Sequence, residues 1–218
     1  MDSIFTLYFC MIRSSLMQVF FKQPVAGFEF HLSLMSDEHI KYLIKLAQNP
    51  KLSDLMGWDT FFEDEDITGF LAAISEYALP HSQPSQAIVF GIYPDSELLP
   101  VGYVVLKGCN QDLRTAEIGT AILAQKFKGL GRLATGLAIE YSFKQLQLNT
   151  IAATILCSNK DSINASKKLG FETKITLYQS WALPNGELAD MVWQEVNSTI
   201  WNQTISKRFQ AKIVTSLK

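Results

Sequence analysis

Three cations, two glycines and one aromatic stand together in Lys126-Phe-Lys-Gly-Leu-Gly-Arg132. Strand-like residues precede this run, and a helical spacing of apolar residues follows it. Backbone N–H groups at a helix N-terminus are donors without intrahelical partners, glycine lets a ligand approach them, and the cations add charge. The combination is an anion site suited to a diphosphate. No Lys-Ser/Thr pair completes a P-loop, which argues against nucleotide hydrolysis. Gly129-Leu-Gly131-Arg-Leu-Ala134 fits the dinucleotide pattern G-x-G-x-x-A. Yet the next strand ends on Ser158-Asn159, where such a fold wants an acid, and Leu123 lies too far from Gly129 for a turn straight off the strand.

Other reactive residue types are scattered. His31, His39 and His81 share no ligand spacing, so no metal site is expected. Cys10, Cys109 and Cys157 are an odd number at wide intervals and form no disulfide framework, which points to a reducing, cytoplasmic setting. Cys157 closes an apolar segment with no basic neighbour in sequence to activate it, and reads as a buried, inert thiol.

These groups need elements to position them. Residues 28–34 alternate as a half-buried strand does, and Ser36-Asp37-Glu38 can cap a helix that runs to about Gln48 with Ile40, Leu43, Ile44 and Ala47 on one face. A second helix is expected over 64–79. Residues 87–93, 101–107 and 116–123 are β-branched or aromatic segments between turn sequences, which predicts an antiparallel meander. The helix expected over 129–147 and the apolar strand 151–157 then imply a parallel crossover. A short helix over 161–169 stops at Gly170, and two strands, 173–181 and 188–196, flank Pro184-Asn185-Gly186. Asn197-Ser198-Thr199 can cap a last amphipathic helix bearing Ile200, Trp201, Ile205, Phe209 and Ile213, a stripe suited to core or homodimer contact.

Asn159-Lys-Asp-Ser162-Ile-Asn164-Ala-Ser166-Lys-Lys-Leu-Gly170-Phe171 follows the glycine loop by some thirty residues. The loop resembles the Q/R-x-x-G-x-G/A coenzyme A loop of the GNAT superfamily of N-acetyltransferases, with Lys126 in the place of Gln or Arg. The later run resembles that superfamily's second motif. The similarity covers about residues 24–196 and, through Ala116-Glu117-Ile118-Gly119, leans toward the branch that contains ribosomal-protein alanine acetyltransferases.

The resemblance implies an α/β (α+β) fold. Its mixed, mostly antiparallel central sheet has about seven strands, helices on both faces and a splayed pair of parallel central strands. Acetyl-CoA would enter the splay as acyl donor. Ile122 and Leu123 would meet the pantetheine through their backbones. Lys126, Phe127, Lys128, Gly129, Leu130, Gly131 and Arg132 would surround the pyrophosphate, and Asn159 and Ser162 would stand across the gap. Glu117 is the implied general base toward a primary amine. Ser166 occupies the position where many members carry a tyrosine as acid; its hydroxyl is shorter, and Tyr103 and Tyr178 are further donors. Trp58, Phe61 and Phe62 would border the acceptor pocket.

The 218 residues carry 19 basic and 21 acidic side chains, a balance that argues against nucleic acid as partner. With 48% hydrophobic residues the chain can build one sizeable core. The apolar run 4–12 is too short to span a bilayer, and no membrane association is expected. The expected organisation is an extension over 1–22, an acetyltransferase domain over 23–196 and an amphipathic helix over 197–218. The competing readings are a catalytically silent CoA-binding module with the same fold and a nicotinamide oxidoreductase.

Overall fold

The structure, a computed structural model, describes residues 19–22, 29–49, 52, 66–75, 86–124, 127, 129–206 and 212–215. The chain runs β1 (Val19–Lys22), β2 (Phe30–Leu34), α1 (Asp37–Ala47), α2 (Ile67–Ser75), β3 (Gln86–Pro94), β4 (Gly102–Asn110) and β5 (Thr115–Ile122). It continues through α3 (Leu130–Lys144), β6 (Thr150–Leu156), α4 (Lys160–Lys168), β7 (Glu172–Ala182), β8 (Leu188–Asn197), α5 (Ser198–Ile200, prolonged as a π-helical turn over Trp201–Ile205) and β9 (Lys212–Thr215).

Seven strands form the main sheet in the order β2-β3-β4-β5-β6-β8-β7, and β1 pairs with β9 separately. Every pairing is antiparallel except β5 with β6. Hairpins explain the antiparallel neighbours β3-β4, β4-β5 and β7-β8, whereas α3 is the crossover that the parallel pair requires. This is the α/β architecture expected, and the parallel pair stands inside the sheet.

Alternation along the strands sends side chains to two cores. On one face, Ala116 and Ile118 of β5 and Ile151 and Ala153 of β6 pack with Leu130, Leu133, Ala134, Leu137 and Ala138 of α3. On the other, Val89, Tyr103, Val105 and Ala121 pack with Ile40, Leu43 and Ile44 of α1 and Phe70 and Ile74 of α2. The first of these helices starts where Ser36 Oγ accepts the His39 N–H at 3.3 Å, with Asp37 and Glu38 favourable in its first turn. In α2, Asp66 Oδ1 accepts the Gly69 N–H at 2.8 Å.

The C-terminal segment departs from expectation. Among the described residues, helical structure runs from Ser198, capped by Asn197, to Ser206; Ile213 lies in β9, opposite Phe21 of β1. Phe209 is outside the described residues. Trp201 is fully buried: its indole N–H donates to Glu140 Oε2 of α3 at 2.5 Å, and Ser206 Oγ donates to the same carboxylate at 3.0 Å. Trp201 and Ile205 therefore turn their apolar surface into the chain's own core. α3 also stops at Lys144, earlier than its periodicity suggests, and Gln147 takes a φ of 54° in the turn that follows.

Candidate functional site

The parallel strands pair over three rungs only, Thr115 with Thr150, Ala116 with Ile151 and Glu117 with Ala152, and then separate. Hydrogen-bonding direction alternates along a strand, so one bond fixes the rest. Leu123 N–H donates to Val101 O at 2.9 Å, which turns the odd-numbered backbone groups of β5 toward β4. Arg114 O accepts from Asn149 N–H at 2.6 Å on the β6 side, which agrees. Beyond the last rung, the N–H and C=O groups of Thr120 and Ile122 therefore face the gap. On β6 the Cys157 N–H goes to Asp190 O at 2.8 Å, on the β8 side, so Thr154 and Leu156 face the gap from across it. Of Ile122 and Leu123, the first turns its backbone groups to the gap side, and the N–H of the second donates to Val101 O.

The glycine loop closes one end. Gly129, the exposed N-cap of α3, has a φ of 92°, which only glycine adopts readily, and a Cβ built there would meet nothing within 4 Å. A Cβ on Gly131 would stand 3.2 Å from Ile122 Cγ1 and 3.9 Å from Thr120 Cγ2, so this glycine lets the start of α3 lie close on β5 beside the gap. The Thr135 hydroxyl, donating to Gly131 O at 2.7 Å and lying 2.9 Å from Thr120 Oγ1, fixes the same approach. The N–H groups of Gly131 and Arg132 belong to the first helical turn, whose donors lack intrahelical acceptors. Arg132 is half-buried there. Phe127 and Leu130 point inward: both are core residues, and the Phe127 carbonyl accepts the Leu130 N–H at 3.1 Å, so they anchor the loop from below. Lys126 and Lys128 lie outside the described residues, as do Trp58, Phe61 and Phe62.

Glu117 occupies the last rung of the parallel pair and is 1% exposed. Its Oε1 lies 3.2 Å from Lys107 Nζ of β4 and accepts the Thr154 hydroxyl of β6 at 2.5 Å. All three side chains lie on the α1/α2 face, at the point where the strands part. Sequence reasoning found Glu117 and missed its two partners. Lys107 and Glu117 stand at facing register positions across a hairpin, but the register shifts between Lys107 and Asn110, so counting back from the turn does not find the first. Thr154 needs the parallel register, which no local pattern supplies.

Across the gap, Asn159 caps α4, its Oδ1 accepting the Ser162 N–H at 3.0 Å; both residues are thus joined in the turn that follows β6. Ser166 is turned inward. Its hydroxyl lies 2.8 Å from Ile163 O and 2.5 Å from Gln194 Oε1, and the fully buried Gln194 amide reaches Thr173 Oγ1 at 3.0 Å. This polar chain ties α4 to β8 and β7, and the serine hydroxyl is committed within it. Tyr178 is an exposed residue of β7, whereas Tyr103 is buried in the layer beneath α1 and α2. Cys157 is half-buried rather than buried. Among the described residues, no group of three or more His, Cys, Asp or Glu is placed to hold a metal ion, and no helix is long and apolar enough to cross a membrane.

A gap lined by strand N–H and C=O groups fits an extended, amide-bearing arm, and a helix N-terminus with two glycines fits a diphosphate at its end. Fold and site together define an acyl-CoA-dependent transferase of mixed α/β architecture. The family model for an acetyltransferase (GNAT) domain matches residues 30–172, and the chain belongs to that family. It is an acetyl-CoA-dependent N-acetyltransferase.

Solved structures agree in fold. Spermidine N-acetyltransferase from Vibrio cholerae, in complex with CoA and spermine, superposes with a TM-score of 0.66 at 19% identity over 79% of this chain and 98% of that one. A probable acetyltransferase gives a TM-score of 0.64 at 21% identity over 84% and 99% of the two chains. A dodecameric structure of the Vibrio cholerae enzyme in an intermediate state gives 0.59 at 19% over 82% and 97%. No curated protein sequence matches the chain.

Proposed function

We propose that this protein transfers the acetyl group of acetyl-CoA to a primary amine by direct attack of the neutral amine on the thioester, with Glu117 as general base. The observation that carries the reading is the splay itself: β5 and β6 part just beyond Glu117 and offer the backbone groups of Thr120 and Ile122 to one side of the gap. Those groups hold the pantetheine arm, and Gly129, Gly131 and Arg132 receive the pyrophosphate, joined there by Lys126 and Lys128. Asn159 and Ser162 border the arm from the end of β6.

In the transfer a C–N bond forms and the C–S bond breaks. Glu117 takes the amine proton, directly or through water, and the thiolate leaves with a proton from water, because the Ser166 hydroxyl is committed to Gln194 and Ile163. Backbone N–H groups of β5 in the gap are the donors for the developing negative charge on the carbonyl oxygen.

The acceptor is a protein N-terminus or a small-molecule amine. The structural similarity to a spermidine acetyltransferase puts polyamines among the candidates, beside the N-terminal alanine suggested by the sequence motifs. A cytoplasmic setting belongs to the same reading, with Cys109 and Cys157 as free thiols. A homodimer would need a surface other than Trp201 and Ile205.

Isothermal titration with acetyl-CoA, followed by release of free CoA thiol against spermidine, an aminoglycoside and an alanine-starting peptide, tests the proposal. Binding with turnover of one acceptor is expected. Folded protein that does not bind acetyl-CoA would overturn it, and binding without turnover of any amine would establish a silent module instead.

A further inference from the structure

Lys107 and Glu117 each stand where a strand pairing breaks. Lys107 holds the last regular position of β4 before a bulge, where the register with β5 shifts and Gly108 takes a φ of 63°, open to glycine without strain. Glu117 holds the last rung of β5 with β6 before those strands part. Bulges re-aim side chains and recur beside active sites. Here the Lys107 ammonium lies 3.2 Å from Glu117 Oε1, and its side chain is 16% exposed, so the cation keeps some contact with water.

The layer around the pair is apolar. Tyr103 and Val105 continue β4 on this face, Ala121 continues β5, and Leu43, Ile44 and Phe70 of the helices pack with them. Exchanging a buried ion pair for apolar side chains of the same volume is often neutral or stabilising, so the fold alone gives little reason for charges here. The chemistry gives one. A carboxylate taken out of water favours its protonated form, which accepts no proton from an amine, and a cation in contact favours the ionised form.

Other groups face the carboxylate from the surrounding elements. Thr154 of β6 donates a hydroxyl to the same oxygen, and α2 brings no ionisable side chain. Glu195 of β8 shares the face beyond Ala152 and accepts the Trp193 indole N–H at 2.8 Å. The layer also holds the phenols of Tyr103 and, at its margin, Tyr42 of α1.

We infer that Lys107 is a positioning residue of the reaction, its charge keeping Glu117 ionised at neutral pH and so able to take the amine proton. This rests on the amine-acetylation reading above. The proton passes from the amine to Glu117 as the C–N bond forms, and Lys107 exchanges none.

The test compares Lys107→Met with the wild type, using acetyl-CoA and whichever of spermidine or the alanine-starting peptide the wild type turns over. Deprotonation of the acceptor affects both proteins alike, so the readout is the ratio of their acceptor kcat/KM values. That ratio should be lowered about tenfold or more near pH 6.5 and regain most of the difference near pH 9, since desolvation alone can carry a buried carboxyl's titration past neutral pH. Lys107→Arg keeps the charge and should stay within about threefold of the wild type across the same range. Acetyl-CoA affinity should be unchanged in each variant. A ratio that is flat with pH at any level, or an Arg variant that follows the Met one, would overturn the assignment while the enzyme reading stands. Lys107→Gln, also neutral, gives the same readout if the Met variant does not fold; if neither neutral variant folds, the charge serves the fold and the assignment falls. No turnover by the wild type with either amine overturns both.

Discussion

Thr154 of β6 donates its hydroxyl to Glu117 of β5 across 2.5 Å, reaching back from two positions beyond the last rung that joins the strands. The bond spans the point where the sheet opens and holds one carboxylate oxygen there. Replacing Thr154 with Val removes the bond and keeps the branched shape. Turnover should fall about three- to tenfold with acetyl-CoA affinity unchanged, as steady-state kinetics beside titration calorimetry would show. Unaltered turnover would mean that Glu117 needs no such support.

Glu117→Gln should be more severe. Loss of a general base costs about a hundredfold or more in kcat. The change also takes the negative charge from beside the half-buried Lys107, and stability should drop by about 1–3 kcal/mol in urea denaturation. Full activity in the variant would remove Glu117 from the mechanism.

The two glycines of the loop should respond differently to alanine. At Gly131 the methyl meets Ile122 at 3.2 Å, so α3 must shift off β5, and acetyl-CoA affinity should weaken about tenfold. At Gly129 the methyl meets nothing but the backbone sits at a φ of 92°, so the cost of about 1 kcal/mol should appear in the melting of the free protein. Identical effects from both would show that the close approach of α3 to β5 does not matter to binding.

Ser166→Ala separates a structural hydroxyl from a catalytic one. Removing it deprives the buried Gln194 amide of a partner, so stability should fall by about 1–3 kcal/mol while kcat stays within about threefold. A drop in kcat of about a hundredfold with stability intact would restore the serine as the acid.

Alkaline pH should weaken the fold. Burial raises the Cys109 thiol from 9.0 to about 11, and the buried phenols of Tyr93, Tyr103 and Tyr141 move the same way. Between the unfolded and folded pKa values the unfolded chain holds fewer protons, so stability is full below about pH 9 and declines as pH rises through 11. Urea melts at pH 8 and pH 10.5 measure it. Equal midpoints would contradict the burial of these groups.

The sequence announces the order of strands and helices because each element carries its own period, and the glycine loop because only glycine tolerates Gly129's geometry. The C-terminal strand is hidden. Ile213 continues the helical spacing of Ile200, Trp201 and Ile205, and its partner Phe21 lies nearly the whole chain away. Ser166 is readable as a position but not as a role, because its partner Gln194 comes from another strand.

The short pairing of β5 and β6 bears on how much protein a cell keeps. Three rungs, with the α3 crossover, join one side of the sheet to the other, and an arm laid in the gap supplies the hydrogen bonds that a continued ladder would have made. A ligand that binds only the folded state stabilises it by about 2.7 kcal/mol at a hundredfold excess over Kd. Resistance to proteolysis, and with it steady-state abundance, would then track the supply of activated acyl groups: when the donor pool shrinks, the enzyme that draws on it is degraded sooner.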